Sequence, residues 1–463
     1  MDAENKLNIL RESLVEKNAT FLFGAGASAP YFSSLGNFER ILSHESISEH
    51  GKTLIKILFY DLCIKDNMYV ANYMNGKCYC HEKKDLMLSI INEYSRFIYN
   101  SIEHLKVRNS RISPKRINLI TTNYDLFIES AIDNILTSNP RIFFNDGTNG
   151  YGTRILSSDN FNKTLLYTGI FDNYSNEMPS VNLIKCHGSV NWKENKDNNG
   201  RSKIQILIEK NSLQTINEGL ETYLDELKSY LKRGEFSQVN SYKDMISLLN
   251  REINEDLIIK INCMGEDLHT LMPIALASSI ESLQIVLPTK KKFQTTLIEE
   301  HYFNMLRLVS YELEKSQSIL VVFGFSFNDE HIRDIIQRSL NNPNLLVFIF
   351  CFNDRAKEEI ISQFNFSFTN KPVNIIFIEP KDFLLKKIPV NEYSEEDYNS
   401  SSYTTIENKD SILLYSKEVS KLSNDNNIET PIINFSAFNS ILERNITNKY
   451  ISNKIAKSGD GYE

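Results

Sequence analysis

Four short polar turns carry most of the residues in this chain that could bind a ligand or move a proton. Each turn follows an apolar run that is typical of a buried strand. Open α/β sheets bind their ligands at the carboxyl ends of their strands, so we expect the four turns to meet at one edge of a sheet. The turns are Gly24-Ala25-Gly26-Ala27-Ser28, Thr121-Thr122-Asn123-Tyr124-Asp125, His187-Gly188 and Gly324-Phe325-Ser326.

The first turn is rich in glycine and directly follows the apolar run TFLF. Gly24 and Gly26 have no β-carbon, so the backbone can turn sharply there and bring its amides close to a phosphate group. Ser28 and Ser326 could each hydrogen-bond a phosphate or ribose oxygen, or could cap a helix instead. The full GxGxxG spacing is absent, and a glycine turn alone is structural about as often as it is functional. The turn therefore indicates a nucleotide site only together with the other three.

His187 and Asn123 are the candidate catalytic residues. Histidine titrates near neutral pH, so His187 could act as a general base, and the glycine after it lets the imidazole face a crevice. The Asn123 carboxamide can donate and accept hydrogen bonds, which suits it to hold a ribose hydroxyl or a water molecule beside a reacting carbon. Asp125 is more typical of a helix cap than of a ligand contact. For Asp329 and His331, in the helix after the last turn, we favour a structural or gate-like role.

In type and order, the four turns resemble the motifs of the sirtuin-like superfamily, which are a GAG-S turn, a T-x-N-x-D turn, an HG pair and a late G-x-S turn. The resemblance covers roughly residues 15–385. The spellings TTNYD, KCHGS and GFSFND are less similar to protein deacylases than to the sirtuin-like NADases of bacterial antiphage defence. Two such proteins are the Thoeris effector and the sirtuin-like partner of HerA-type ATPases.

The resemblance implies an NAD+ glycohydrolase that cleaves the nicotinamide–ribose bond and depletes cellular NAD+ in an abortive-infection response. It implies that Asn123 and His187 are catalytic. It also implies a switch, because an unregulated NADase would kill its host, and the partners within the family include a HerA-type ATPase or an Argonaute-type protein. The residues that it places around NAD are Gly24, Ala25, Gly26, Ser28, Thr122, Asp125, Gly324 and Ser326.

Two departures separate the chain from the deacylases. Those enzymes carry a zinc ribbon with two paired cysteines, and this chain has no CxxC motif. Cys78, Cys80 and His81 cluster, but their spacing, with Cys63 distant, matches tetrahedral zinc poorly, so we expect no metal. The second departure is Asn37-Phe38-Glu39-Arg40, where deacylases have an Asp-Phe-Arg segment, which leaves the closure of the nicotinamide pocket open.

Two other function classes stay open at this point. One is NAD-dependent group transfer, either deacylation or ADP-ribosylation of a protein, which the missing zinc ribbon disfavours. The other is a nucleotide-sensing or nucleic-acid-processing subunit of a defence complex, whose turns only bind. Incubation with NAD+ alone would separate the glycohydrolase from both.

The composition is typical of a globular protein with a large core. The chain has 463 residues, of which 41% are hydrophobic and 24% are charged. Its net charge of −8 argues against a dedicated nucleic-acid surface, so we expect no sequence-specific nucleic-acid binding. We expect a cytoplasmic protein without a membrane span, because no apolar run is long enough, the N-terminus is too charged for a signal, and the cysteines are scattered.

The elements that must position the turns follow a strand–helix alternation, which is typical of a parallel sheet. We predict a Rossmann-like, doubly wound α/β domain over residues 1–388. Helical insertions are expected at about residues 38–105 and 205–256, and a further strand of the sheet at residues 283–288.

Residues 389–463 change character. An acidic, serine-rich stretch is typical of a linker, and two helix-like segments follow at about residues 411–423 and 433–455. Such a tail cannot bury much surface alone, so we expect it to pack on the enzyme domain, on another subunit or on a partner protein. A homo-oligomer is therefore expected. The apolar side chains that need a covering surface are Ile432, Ile433, Phe435, Phe438, Ile441 and Leu442.

Overall fold

The structure is a computed structural model. It describes residues 3–32, 38–42, 44–77, 82–108, 114–138, 141–168, 175–196, 202–207, 211–232, 254–269, 274–286, 300–364, 366, 372–382, 386–389, 391, 403–408, 411–416 and 432–446. Among these residues, no helix has the length and apolar character needed to cross a bilayer.

The helices and strands are named in chain order. The helices are α1 (Ala3–Glu16), α2 (Phe38–Leu42), α3 (Glu49–Cys63), α4 (Asn67–Met74), α5 (Lys84–Val107), α6 (Phe127–Ser138), α7 (Asn211–Lys232), α8 (Glu255–His269), α9 (Ile274–Glu281), α10 (Glu300–Glu314), α11 (Glu330–Ser339), α12 (Ala356–Gln363) and α13 (Phe435–Ile446). The strands are β1 (Asn18–Phe23), β2 (Arg116–Thr121), β3 (Phe143–Asn145), β4 (Thr148–Asn149), β5 (Ile155–Leu156), β6 (Leu166–Thr168), β7 (Ser175–Glu177), β8 (Ser180–Lys185), β9 (Trp192–Lys196), β10 (Ser202–Ile206), β11 (Ser318–Phe323), β12 (Leu345–Phe350), β13 (Ile375–Ile378), β14 (Lys386–Pro389), β15 (Tyr403–Asn408) and β16 (Ser411–Ser416).

A seven-stranded parallel sheet forms the centre of the fold, in the order β13-β12-β11-β1-β2-β8-β3. All of its neighbouring strands pair in parallel. The strands wind outwards from β1 in both directions, with β2 and β8 on one side and β11 to β13 on the other. The predicted Rossmann-like, doubly wound α/β fold is therefore confirmed. The winding reverses between β1 and β11, which is where such sheets open a ligand crevice.

Successive residues of the central strands point into two hydrophobic cores on opposite faces of the sheet. On β1, Phe21 and Phe23 enter the core that also contains side chains of α1, α5 and α13. Leu22 enters the opposite core, with side chains of α10 and α11. Because both faces are covered, the central strands are mostly apolar, and this explains why the sequence pattern predicts them.

The helices predicted at residues 38–105 are present as α2 to α5, and α7 lies within the second predicted insertion. The strand predicted at residues 283–288 is wrong for the described part of that range. Leu283 and Val286 belong to no strand, and Ile285 makes only an isolated bridge to Gly188. All three side chains are buried, and a short apolar run cannot by itself distinguish a strand from a covering segment.

The helix predicted from residue 411 is also wrong for the described residues. Ser411–Ser416 is the central strand of a three-stranded antiparallel sheet, in the order β14-β16-β15. Its partner β15 has the sequence YTTIEN, whose β-branched and aromatic residues favour a strand. The predicted domain boundary after residue 388 falls inside β14.

Helix α13 packs on the central sheet. The Phe438 ring lies 4.6 Å from the Phe323 ring and 4.7 Å from the Phe350 ring, between centroids. Phe435 stacks on Phe323 at 5.3 Å. Of the three surfaces proposed for the tail, the chain's own α/β domain thus covers this helix, and its buried face gives no argument for an oligomer.

Replacing Phe438 by alanine is expected to lower the free energy of unfolding by about 3–5 kcal/mol, because it removes a fully buried ring from an aromatic cluster. Denaturant unfolding of the full chain measures this change. Ile432→Ala is the control, since that side chain is exposed, and it should change the free energy by about 0.5 kcal/mol or less. Equal effects of the two substitutions would contradict the packing role of α13.

Candidate active site

The four predicted turns follow four neighbouring strands. β11, β1, β2 and β8 are adjacent in the sheet, and they end at Phe323, Phe23, Thr121 and Lys185. Because the strands are parallel, all four carboxyl ends lie at the same edge. The expectation that the turns meet there is confirmed.

The glycines of the first and last turns pack directly against each other. A β-carbon on Gly24 would lie 2.5 Å from the Gly324 carbonyl oxygen, and one on Gly26 would lie 2.7 Å from the Gly324 Cα. The Gly26 amide donates to the Gly324 carbonyl at 2.9 Å. Gly324 has a φ of +67°, which favours glycine. This backbone contact explains all three glycines without a phosphate.

Several amides of the first turn already have partners. The amide of Ala27 donates to the Gly24 carbonyl, and the amides of Ser28 and Ala29 donate to the Ala25 carbonyl, at 3.0–3.1 Å. These bonds form the short 3₁₀ helix Ala25–Ala27. A phosphate bound to these amides would compete with bonds that stabilise the turn.

A pocket of about 50 Å³ lies between the turns that follow β1 and β2. Ala25, Ser28, Thr122, Asn123 and Asp125, which were predicted as site residues, all line it. The other lining residues are Phe32, Cys63 and Tyr124.

The Cys63 thiol is not a nucleophile in this pocket. Burial, with a smaller contribution from Asp61, raises the pKa of the Cys63 thiol to about 12, so it stays protonated near neutral pH. The polar chemistry of the pocket therefore comes from Asn123, Ser28 and Asp125.

The Asn123 carboxamide is held in one orientation. Its Nδ2 donates to the Gly24 carbonyl and to Ser28 Oγ, both at 2.9 Å. Ser28 Oγ in turn donates to Asp125 Oδ2 at 2.6 Å. Both N–H groups of Asn123 are thus used inside the protein, and Oδ1 is the atom that can accept a hydrogen bond from a hydroxyl or water in the pocket.

Asp125 stabilises this arrangement by accepting the hydrogen bond from Ser28. Burial raises the pKa of the Asp125 carboxyl, and Lys185 and the Ser28 hydroxyl oppose that shift. Its Oδ1 accepts from the amide of Phe127, the first residue of α6, at 3.3 Å. Asp125 therefore lines the pocket and also ties the start of α6 to Ser28.

The covering segment at residues 283–286 fixes the His187-Gly188 turn. The Val286 amide donates to the His187 carbonyl at 2.9 Å, and the Tyr124 hydroxyl donates to the Val286 carbonyl at 2.7 Å. Gly188 has a φ of +78°, and a β-carbon there would lie 2.1 Å from the Gln284 carbonyl oxygen. The segment that was expected to extend the sheet instead holds the histidine turn.

His187 pairs with Asp329. Its Nε2 lies 2.9 Å from Asp329 Oδ2, and both side chains are buried. Asp329 is also the N-cap of α11, because its Oδ1 accepts from the amides of His331 and Ile332. A neutral imidazole that donates from Nε2 to a carboxylate carries its lone pair on Nδ1, which is then the basic nitrogen. Asp329 thus combines the predicted structural role with a contact to the candidate base.

Asp329 contacts His187 across the edge of the sheet that the carboxyl ends of the strands form. Their strands, β11 and β8, are separated by β1 and β2, a distance of about 14 Å at ordinary strand spacing. The loop that crosses contains Phe327, which alone among the described non-glycine residues has a positive φ, of 62°. Its buried ring packs between Phe325 and Phe364, each 5.0 Å away. Packing therefore holds a strained backbone that directs Asp329 towards the histidine.

Not all predicted residues share the pocket. His187 does not line the pocket. It lies beside Tyr124, the residue that follows Asn123, with 6.5 Å between the two ring centroids. Ser326 is exposed and lies outside the pocket. The segments that contain Asn37, Cys78, Cys80 and His81 lie outside the described residues, and the described residues contain no cluster of three metal-binding side chains.

The sequence pattern did not identify Lys185, whose side chain contacts a residue that lines the pocket. Its buried Nζ donates to the Asp125 carbonyl oxygen, donates to Ser189 Oγ at 2.9 Å, and pairs with Glu129 at 2.7 Å. A lysine at the end of the apolar strand VNLIK is a signal that could have found it, because a buried lysine needs an ionic partner.

Compared with protein-family models and with curated proteins, the chain matches none of them. The likeness to the sirtuin-like superfamily therefore rests on the four turns alone.

Replacing Gly188 by alanine is expected to lower the free energy of unfolding by about 3 kcal/mol or more, because the substitution strains a left-handed backbone and forces a methyl group against the Gln284 carbonyl. Thermal and denaturant unfolding measure the change. Gly152→Ala is the matched control, since nothing lies within 4 Å of a β-carbon at that position. A Gly188 variant as stable as the Gly152 variant would contradict the geometry of this turn.

Proposed function

We propose that the protein is an NAD+ glycohydrolase. The observation that carries the proposal is that Asn123 lines a pocket at the carboxyl ends of β1 and β2 with both of its N–H groups already bonded, while His187 at the next strand end pairs with Asp329. An acceptor and a base at adjacent strand ends fit a reaction in which a hydroxyl group or water must be held and deprotonated.

In the proposed reaction, the bond between ribose C1′ and the nicotinamide nitrogen breaks, and its electron pair leaves with nicotinamide. The oxygen of a water molecule forms the new bond to C1′, and the proton released from that water passes to His187 Nδ1 and then to solvent. The products are nicotinamide, ADP-ribose and one proton. Asn123 Oδ1 would accept a hydrogen bond from the water or from a ribose hydroxyl, which fixes the attacking geometry.

The size of the pocket supports an enzyme that is held in an inactive state. Its volume of about 50 Å³ is far below the roughly 300–1,000 Å³ of ordinary ligand sites. NAD+ would therefore need the pocket to widen, and the strained crossing loop at Phe327 is one element that could move. A closed resting pocket is what a toxic NADase requires.

We further propose that assembly opens this pocket in an antiphage response in the cytoplasm. A homo-oligomer, or a complex with a HerA-type ATPase, would supply the switch that an NAD-depleting enzyme needs. Because α13 is covered by its own chain, we place such contacts on other surfaces.

Incubation of the purified full chain with NAD+ alone tests the proposed function. We expect nicotinamide and ADP-ribose in equal amounts by mass spectrometry, and a fall in cellular NAD+ when the chain is expressed with its neighbouring genes. NAD+ consumption that depends on an acylated peptide or an acceptor protein would favour group transfer instead. Absence of NAD+ loss both in the tube and in cells would overturn the proposal.

Metal removal is expected to leave activity unchanged. A chelator should not alter the rate of NAD+ cleavage, because the chain has no CxxC motif and its cysteine spacing cannot build the zinc ribbon of the deacylases. Elemental analysis of the purified chain gives the independent measurement. One zinc ion per chain, lost together with the fold, would contradict this prediction and revive the deacylase alternative.

A further inference from the structure

A second cavity, of about 400 Å³, lies on the other side of Lys185 from the 50 Å³ pocket. Its walls come from α6, β8 and the segment around Trp192. Leu126, Leu183 and Trp192 give it an apolar lining. Its volume falls within the range of ordinary small-molecule sites.

Two buried acceptor atoms on residues that line this cavity lack hydrogen-bond partners among the described residues. Asn191 is only 9% exposed, and its Oδ1 has no hydrogen-bond partner. Glu129 uses Oε1 to pair with Lys185, but its buried Oε2 has no partner either. Each unsatisfied buried acceptor costs about 1–3 kcal/mol, so a ligand that donates hydrogen bonds to both would be favoured.

The charges around the cavity also favour a ligand that donates hydrogen bonds and carries a positive charge. Both basic side chains are already neutralised, Lys185 by Glu129 and Arg154 by Asp146 at 2.6 Å. Asp133 adds a further carboxylate at the mouth of the cavity, one helical turn after Glu129. Partial burial and the charge of Glu129 raise the pKa of the Asp133 carboxyl, whereas Arg154 lowers it. Because Glu129 and Asp146 are paired with Lys185 and Arg154, the charged side chains that line the cavity leave one net negative charge, that of Asp133, which favours a cation over an anion.

We infer that this cavity binds a small organic cation, an amine or amidinium with an apolar body. Asp133 and Glu129 Oε2 would face the charged head and Asn191 Oδ1 would accept one of its N–H bonds, while the apolar walls would cover the body. A bare metal ion fits less well, because it would leave these apolar walls without a partner. The residues that line this cavity are all different from those that line the proposed NAD+ pocket.

Isothermal calorimetry on the full chain tests the inference with three probes of one shape, namely benzamidine, benzamide and benzoate. We expect benzamidine to bind most tightly and benzoate not to bind. Asp133→Asn should weaken benzamidine binding by about tenfold or more, because a charge-assisted hydrogen bond is lost at a solvent-facing position where folding is not at risk. Asp256→Asn, the same change on an exposed helix surface, should leave the affinity unchanged.

The outcome does not depend on NAD+ cleavage. Asn123→Ala removes a side chain of the other pocket and should bind benzamidine as the unmodified chain does. Equal binding of benzamidine and benzoate, no benzamidine binding at millimolar concentration, or equal affinities of the Asp133 and Asp256 variants would each overturn the inference.

Discussion

Replacing His187 or Asn123 by alanine is expected to lower the rate of NAD+ cleavage by about 10²–10⁴-fold. His187→Ala removes the proposed base, and Asn123→Ala removes the proposed acceptor for the attacking water. Neither side chain belongs to the apolar cores, so both variants should fold. The measurement is the initial rate of nicotinamide release, with circular dichroism to verify folding.

Two further variants make this result specific. His269→Ala changes an exposed histidine on α8 and should keep full activity. Asn123→Asp keeps the size of the side chain but places carboxylate oxygen against the Gly24 carbonyl and removes both donated hydrogen bonds. We expect it to be as inactive as the alanine variant. Near-normal rates from folded His187 and Asn123 variants would refute the assignment of the site.

The central sheet and the meeting of the four turns could be predicted because both depend on local sequence. Strands covered on both faces are mostly apolar, and glycine or polar residues follow them, as after Phe23 and Ile120. The spacing of apolar residues at about 433–455 also predicted a helix, and α13 lies within that range. In each case, the neighbouring residues alone contain the information.

The strand at Ser411–Ser416 could not be predicted in the same way. The four apolar residues ILLY fit a strand or a turn of helix equally well, and the pairing of this segment with both β14 and β15 decides between them. The covering segment at Ile285 was misassigned for the same reason, because it buries apolar side chains without joining the sheet.

The role of the glycines is a different case. The sequence predicts that Gly24 and Gly26 contact a phosphate, and the structure shows that the Gly324 backbone packs directly against both of them. A residue without a β-carbon serves either purpose, so the sequence pattern is the same for both. The prediction that the turns lie at one edge of the sheet is confirmed, and the contact with Gly324 accounts for the glycines without a ligand.

The pairing of Asp329 with His187 could not be found from the sequence. The sequence predicts a structural or gate-like role for Asp329, and the structure shows that its side chain caps α11. That the same carboxylate crosses two strands to reach a histidine depends on the path of one loop and on the packing of Phe327 within it. Such a contact depends on tertiary structure and not on the spacing of residues along the chain.

Replacing Asp329 by asparagine is expected to abolish most NAD+ cleavage while leaving the fold intact, with a loss of about 10²–10⁴-fold. Asparagine caps helices as well as aspartate does, so its Oδ1 can still accept the amides of His331 and Ile332. The atom that faces His187 Nε2 then becomes an amide nitrogen, which donates instead of accepting. The imidazole must carry its hydrogen on Nδ1, and the basic nitrogen is lost from the side where the proposal requires it. Initial rates of nicotinamide release across pH give the measurement.

The pH profile separates positioning from capping. A carboxylate beside an imidazole stabilises its protonated form, so removing the charge lowers the imidazole pKa, and the residual activity of Asp329→Asn should reach half its maximum at a lower pH than that of the unmodified chain. Glu330→Gln makes the same chemical change one residue later, at an exposed side chain that belongs to neither pocket, and should alter neither the rate nor the profile. Asp329→Ala should in addition lose about 0.5–2 kcal/mol of stability, because it removes the cap of α11. If Asp329→Asn keeps both the rate and the profile, then Asp329 only caps its helix, and the base at His187 must be oriented by another group.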